Sequence, residues 1–172
     1  MKPKEFVQTL YPHAKATEAK TGILAECILA QAALESGWGK FAPGNMYFGV
    51  KDFDGINGNE QLVTTFEYSR RSDLDAKGIG LASIDKIEPV IIKGEKFFKY
   101  TGKAYFRKYA SPEESFTHHA KIFLTPRYKK ALAVKNDPAK FFQEVQAAGY
   151  AQSPTYAETL TKIVKQIKSH MA

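Results

Sequence analysis

In the stretch Ala32-Ala33-Leu34-Glu35-Ser36-Gly37-Trp38-Gly39-Lys40, one carboxylate stands where an apolar run stops, and two glycines bracket the chain's single tryptophan. Successive helix positions are about 100° apart, so Glu35 falls on the face of Leu24, Ile28 and Gln31, whereas Glu26 points almost opposite. A glutamate aimed inward near a helix C-terminus meets desolvation and the negative end of the helix dipole, and both raise its pKa. A carboxylic acid still protonated near neutral pH can give its proton to the leaving oxygen of a sugar. The same position suits a carboxylate that caps the following loop or pairs with Lys40, and helix geometry leaves the two readings open.

Other reactive side chains point nowhere as specific. Cys27 is the only cysteine, so no intrachain disulfide can form, and its place inside a helical pattern suits a small buried hydrophobe. His118 and His119 are adjacent and lack metal-ligand spacing such as H-E-x-x-H; they read as partly buried or surface histidines. The run Gly78-Ile79-Gly80-Leu81-Ala82-Ser83 lacks the lysine, glycine spacing and βαβ setting of a phosphate or dinucleotide site. No metal and no cofactor are expected.

The elements that must position Glu35 are legible in the apolar spacing. Phe6, Val7, Leu10, Tyr11, Ala14 and Thr17 recur at helical intervals, with Pro12 expected to kink or restart the helix. Thr21 offers an N-cap for a second helix carrying Leu24, Cys27, Ile28, Gln31, Leu34 and Glu35 on one face up to Gly37. Between Phe41 and Tyr100 the pattern changes to that of strands: Gln61 to Tyr68 alternates, and Pro89 to Tyr100 reads as two strands joined at Lys93-Gly94. Helices return with Ser111-Pro112-Glu113-Glu114, a capping box, then with Asp137-Pro138 and Ser153-Pro154. The fold class is therefore α+β, mostly α, with a small β-hairpin wall inserted between helices and placed to form one side of a cleft.

With 172 residues, the expectation is one globular domain spanning 1–172. The net charge of +7 favours an anionic partner, whether nucleic acid, a membrane surface or an acidic envelope polymer. The first residues lack the apolar core of a signal peptide, and no uncharged run is long enough to span a bilayer. The expectation is a protein made in the cytoplasm without a signal peptide, with no membrane insertion.

The run from Ile28 to Lys51 resembles the catalytic core of the glycoside hydrolase family 73 glucosaminidases, with seven consecutive matching residues from Ala33 to Gly39. The resemblance continues in order through Thr64-Thr65-Phe66-Glu67-Tyr68, Phe106 to Ser111, Glu114-Ser115, Arg127-Tyr128 and Ala148 to Leu160. It implies a lysozyme-like fold and cleavage of the β-1,4 bond after N-acetylglucosamine in peptidoglycan, by an endo-β-N-acetylglucosaminidase. Carried over by position, Glu35 matches the general acid and Glu67 the second acidic residue, which orients water or stabilises charge at the anomeric carbon. Tyr150 matches a tyrosine that contacts substrate near the scissile sugar, while Trp38, Phe48 and Tyr156 shape the groove and Asn45 its edge loop. For Trp38, packing under the helix end is the stronger expectation; for Phe48, core and sugar stacking weigh equally.

This sequence departs from the family pattern at 69–105, an insertion between the second glutamate and the Phe106-Arg107 segment. Glu95, beside the Lys93-Gly94 turn, competes there with Glu67 for the second carboxylate, and Met46 replaces an asparagine common in the preceding turn. The insertion's basic and aromatic residues suit a lid or an extra wall-binding surface, or a surface elaboration without a role. The partners expected are peptidoglycan glycan strands, without nucleic acid, for a protein acting as a monomer. A muramidase or lytic transglycosylase on the same polymer is the alternative enzyme, and a non-catalytic wall-binding module the alternative of another class. The setting expected is the cell wall, reached after release or export, as by a phage or prophage lysin, a flagellar hydrolase or a secreted effector.

Overall fold

Proline within its first turn, where a backbone N–H has no helical partner, opens the longest helix. In the computed structural model, which describes residues 1–171, α1 (Pro3–Thr21) buries Phe6, Val7, Leu10, Ala14 and Thr17. It passes through Pro12 without the expected restart. Pro12 and Gln8 are both exposed, so the carbonyl that loses its donor is open to water.

Two expectations for α2 (Ala25–Ser36) are corrected. Thr21 is the last residue of α1, not the N-cap of α2, and its hydroxyl donates to the Thr17 carbonyl at 2.9 Å. The Ala25 N–H is met instead by the Glu18 carboxylate at 2.7 Å, a negative group where the helix dipole favours one. Nor is α2 one-sided: Cys27 through Ala33 are all buried, and its last turn alone emerges, with Leu34 and Glu35 exposed. A helix enclosed by other helices is apolar all round, so periodicity could not single out one face.

The chain forms two compact units, Met1–Phe48 with the segment from Tyr109 onward, and Gly49–Lys108. In the first, α2 packs against α1, α4 (Pro112–Ala120) and α7 (Tyr156–Met171). The short α5 (Lys129–Ala133) and α6 (Pro138–Ala147) complete it, α6 lying on α7. Phe116, Phe123, Phe141, Phe142, Leu160 and Ile167 fill its core. The caps expected at Ser111 and Asp137 are made: the Glu114 N–H donates to Ser111 Oγ, the Ala110 N–H to the Glu114 carboxylate, and the Lys140 N–H to Asp137, whereas α7 begins only at Tyr156, past the Ser153-Pro154 start expected for it.

The second unit is a three-stranded antiparallel sheet, β1 (Glu60–Ser69), β2 (Ser83–Ile92) and β3 (Glu95–Arg107), in the order β1-β3-β2, with α3 (Ala76–Ile79) between the first two in sequence. Lys93 and Gly94, at φ 50° and 80°, make the tight two-residue turn joining β2 to β3. Both strands run longer than their pattern suggested. A bulge between Ile84 and Lys86 interrupts the alternation of β2, and in β3 Gly102 admits the backbone of Ser83, whose carbonyl would lie 1.9 Å from an added Cβ. The segment 69–105 thus supplies α3, β2 and most of the central strand.

Candidate functional site

Glu35 stands where it does because the next four residues turn the chain sharply. Gly37, Trp38 and Gly39 all take positive φ, and the N–H of Gly37 closes on the Ala33 carbonyl. Ser36 is buried; its hydroxyl donates to the Ala32 carbonyl at 2.5 Å and accepts from the Gly39 N–H at 2.9 Å. An added Cβ on Gly39 would meet Met1 Cε at 2.6 Å and the Phe6 ring at 3.3 Å. The serine and both glycines around Trp38 are therefore requirements of the turn, and the turn leaves the Glu35 carboxyl at the surface of an apolar helix end.

At that surface, burial against the neighbouring groups raises the Glu35 carboxyl above the ordinary glutamate range. Among the described residues it forms no ion pair, and Lys40, the partner the sequence offered, lies over the Phe41 ring at 5.2 Å instead. The Lys40 pair that the sequence offered for Glu35 is therefore not made.

Tyr150 and Tyr156 feel the Glu35 charge. Burial first, and then that charge, pushes the Tyr150 phenol up; burial does the same to Tyr156, with Tyr150 and Glu35 adding to it. Their rings lie 5.5 Å apart. Tyr150 is brought there by Gly149, at φ 81°, with Arg127 holding the carbonyls of Ala148 and Gly149 at 2.9 and 3.0 Å. Tyr156 is buried and accepts a hydrogen bond from Gln31 at 3.1 Å. Its position is therefore beneath the site, supporting Tyr150, and not in a groove wall as expected.

His119 is the residue that the sequence reading passed over. Its Nε2 meets the Tyr150 hydroxyl at 2.6 Å, and its ring stacks on Phe48 with centroids 3.6 Å apart and planes 5° from parallel. Burial first, then neighbouring His118, lowers its pKa to about 3, so it is neutral at physiological pH. Phe48 is buried with its face covered by this imidazole, which favours the core reading of the two that the sequence left equal. The signal available in sequence was the helical spacing that places His119 with Ser115 and Phe116 on the buried side of α4.

Trp38 is half-buried, its ring edge-on to Phe6 at 5.4 Å, as packing under the helix end requires. Asn45, at φ 57°, donates from its side chain to the Tyr109 carbonyl at 3.0 Å, while the Tyr109 N–H bonds Gly44 at 2.9 Å. Asn45 thus pins its loop.

In the sheet, Glu67 lies in β1 opposite Tyr100 and is ion-paired with Lys51, whose ammonium also donates to the Gly80 carbonyl at 3.0 Å. A cleft of about 220 Å³ beside Lys51 is lined by Phe53, Lys77, Leu81 and Tyr105. Glu95 sits five residues from Tyr100 along β3, roughly 17 Å away, at the exposed turn, where Arg70 pairs with it. The structure therefore gives the two rival carboxylates different surroundings: Glu67 tethered and partly buried, Glu95 at an open tip. Cys27 is buried, and that burial pushes its thiol up, away from nucleophilic use. Among the described residues, no three His, Cys, Asp or Glu side chains gather as a metal site.

Comparison with known proteins identifies the family of the chain. Residues 11–169 match the glucosaminidase family, described as mannosyl-glycoprotein endo-beta-N-acetylglucosaminidase. The peptidoglycan hydrolase FlgJ of Pseudomonas aeruginosa is 32% identical over 98% of this chain and 38% of its own length. The exo-glucosaminidase LytG of Bacillus subtilis is 29% identical over 94% of this chain and half of its own. This chain spans less than half the length of the FlgJ proteins it matches from Pseudomonas, Vibrio and Escherichia. Among solved structures, the C-terminally truncated glycoside hydrolase domain of Salmonella typhimurium FlgJ superposes with a TM-score of 0.67 at 29% identity, covering 97% of this chain and 98% of that one. The catalytic domain of the Listeria monocytogenes autolysin Auto gives 0.68 at 25% identity, covering 99% of this chain and 88% of that one. With the match running through nearly every element, the chain belongs to the glucosaminidase family, glycoside hydrolase family 73.

Proposed function

We propose that this protein hydrolyses the β-1,4 bond after N-acetylglucosamine in peptidoglycan, as an endo-β-N-acetylglucosaminidase with Glu35 as its general acid. The observation that carries this reading is the Glu35 carboxyl, without an ion pair among the described residues and raised by burial at the α2 terminus in a chain of the glucosaminidase family. Such a group holds its proton at a pH where an ordinary glutamate has lost it, and can deliver it to the departing sugar oxygen. Tyr150, fixed through His119, offers its hydroxyl to substrate beside Glu35.

Glu67, ion-paired with Lys51, is the second carboxylate. Its negative charge stabilises the oxocarbenium-like carbon or orients the water that attacks it. If Glu67 activates water the product is inverted; if the substrate's own acetamido oxygen attacks first, the configuration is retained, and the anomer released separates the two routes. The reading takes 1–172 as one catalytic domain, with 69–105 as an elaboration of its sheet, acting as a monomer on the wall's glycan strands after export or release, as a lysin does. Among the described residues no helix is long and apolar enough to cross a membrane.

The test is digestion of purified peptidoglycan by the wild type and Glu35→Gln, with borohydride reduction and mass spectrometry of the new ends. Reduced N-acetylglucosamine ends within the strands, absent with Glu35→Gln, are expected. Release of single sugars would make the enzyme an exo-glucosaminidase. Reduced or anhydro N-acetylmuramic ends would make it a muramidase or transglycosylase, and no new ends a binding module.

A further inference from the structure

One face of the sheet carries side chains that a solvated strand face does not need. In β1 the side chains alternate, so Glu67 shares a face with Val63 and Thr65, while Leu62, Thr64, Phe66 and Tyr68 occupy the other. Directly opposite residues of antiparallel strands share a face, which brings Tyr105, Lys103 and Lys99 of β3 beside Leu62, Thr64 and Tyr68. On this second face Leu62 is 49% exposed, Phe66 51%, Tyr68 45% and Tyr105 37%. Large apolar groups in a contiguous exposed row mark a binding surface more often than a solvated one.

The charges on the face choose among occupants. Lys86 pairs with Glu88, which also stands directly across from Lys99; three lysines, Lys86, Lys99 and Lys103, against this one carboxylate leave these positions with a cationic surplus. Lys99 lies over the Phe66 ring at 4.5 Å, and Phe66 stands edge-on to Tyr68 at 5.6 Å, so cation and aromatics form one patch. A second copy of this chain would set these lysines against like charge. From the Leu62–Tyr105 row to the Tyr68–Lys99 row the patch extends about 20 Å, enough for several sugars of an extended strand.

We infer that the Leu62–Phe66–Tyr68–Tyr105 face, with Lys99 and Lys103, is an accessory binding surface for peptidoglycan strands, its rings packing on sugar and its lysines pairing with the carboxylates of the stem peptides. The choice of polymer rests on the function proposed above. The surface lies on the side of the sheet opposite Glu67, so it holds the wall without taking part in proton transfer.

The experiment is co-sedimentation of the full chain with purified insoluble peptidoglycan, in a Glu35→Gln background so that the wall is not digested. Lys99→Glu with Lys103→Glu is expected to raise the apparent Kd at least tenfold at low salt and to flatten its salt dependence. Phe66→Ala with Tyr105→Ala is expected to raise it several-fold at every salt concentration, and thermal unfolding by circular dichroism verifies that each variant folds. Unchanged sedimentation of both variants would overturn the inference. So would sedimentation equilibrium showing a parent dimer that the variants dissolve. In the Glu35 wild-type background, the lysine variant should clear insoluble wall more slowly yet turn over short soluble glycan fragments within twofold of the parent. A parent that binds through this face but cleaves neither substrate would sink the hydrolase reading alone; one that cleaves both with binding unmoved would sink this inference alone.

Discussion

The two candidate carboxylates occupy opposite kinds of ground. Glu35 ends a helix buried on nearly every side, has no ion-pair partner among the described residues, and is raised by desolvation. Glu67 lies on a half-exposed strand with its charge met by Lys51. Under the proposed mechanism one residue type would serve as proton donor in the first setting and as a fixed anion in the second, so that environment, not identity, divides the labour between them. Supporting groups differ in the same way: Tyr150 is held by a buried neutral histidine, Glu67 by an ammonium tied to a backbone carbonyl.

The strongest way to break this contrast is Glu35→Gln, which removes the proton and keeps the shape. Turnover should fall roughly 10³-fold or more, with KM little changed. In the wild type the pH–rate profile should lose activity as pH rises through the raised Glu35 pKa, a limb absent from the residual activity of the variant. The raised pKa also means that the folded state holds this proton longer than the unfolded one, so stability drops as pH rises above the ordinary glutamate value. Glu35→Gln should therefore be at least as stable as wild type at neutral pH in denaturant titrations.

Glu67→Gln should cost roughly 10²-fold in turnover, while Glu95→Gln stays within twofold. A larger loss at Glu95 would move the second carboxylate to the hairpin tip. Lys51→Met should reproduce part of the Glu67 effect, and the double variant should lose less than the two singles added.

His119 gives a prediction in stability. The unfolded chain takes up a proton below about pH 6.5 while the folded imidazole stays neutral to about 3. Stability is thus fully present above that window and is lost by a few kcal/mol as pH falls through it. His119→Gln removes the titration and should flatten this acid limb in urea unfolding. Because the amide can still bond Tyr150, turnover at neutral pH should fall only about tenfold, against a larger loss for His119→Phe.

The smallest effect belongs to Ser111→Ala, which removes the N-cap of α4. Stability should drop by about 1 kcal/mol with catalysis unchanged. A matching loss of activity would mean that α4 transmits its position to His119.

Much of this was legible in sequence because it is local. The caps at Ser111 and Asp137, the Lys93-Gly94 turn and the helix end at Gly37 follow from residue chemistry within a few positions. The all-round burial of α2 was not legible, since its apolar residues have no polar side to contrast with. The cap supplied by Glu18 was missed because it comes from the preceding helix, seven residues away, and the tolerance of Pro12 because it depends on solvent at Gln8.

The candidate site divides along the same line. By itself the sequence determined the glutamate at a helix end, the glycine-serine turn that holds it and the family to which the pattern belongs, because these are written in consecutive residues. Only the tertiary structure decided that Glu35 is exposed yet desolvated, that Phe48 and Tyr156 serve beneath the surface, and that His119 grips Tyr150. Desolvation and hydrogen bonding across 31 residues of chain are properties of what packs nearby, and one-dimensional spacing does not encode them.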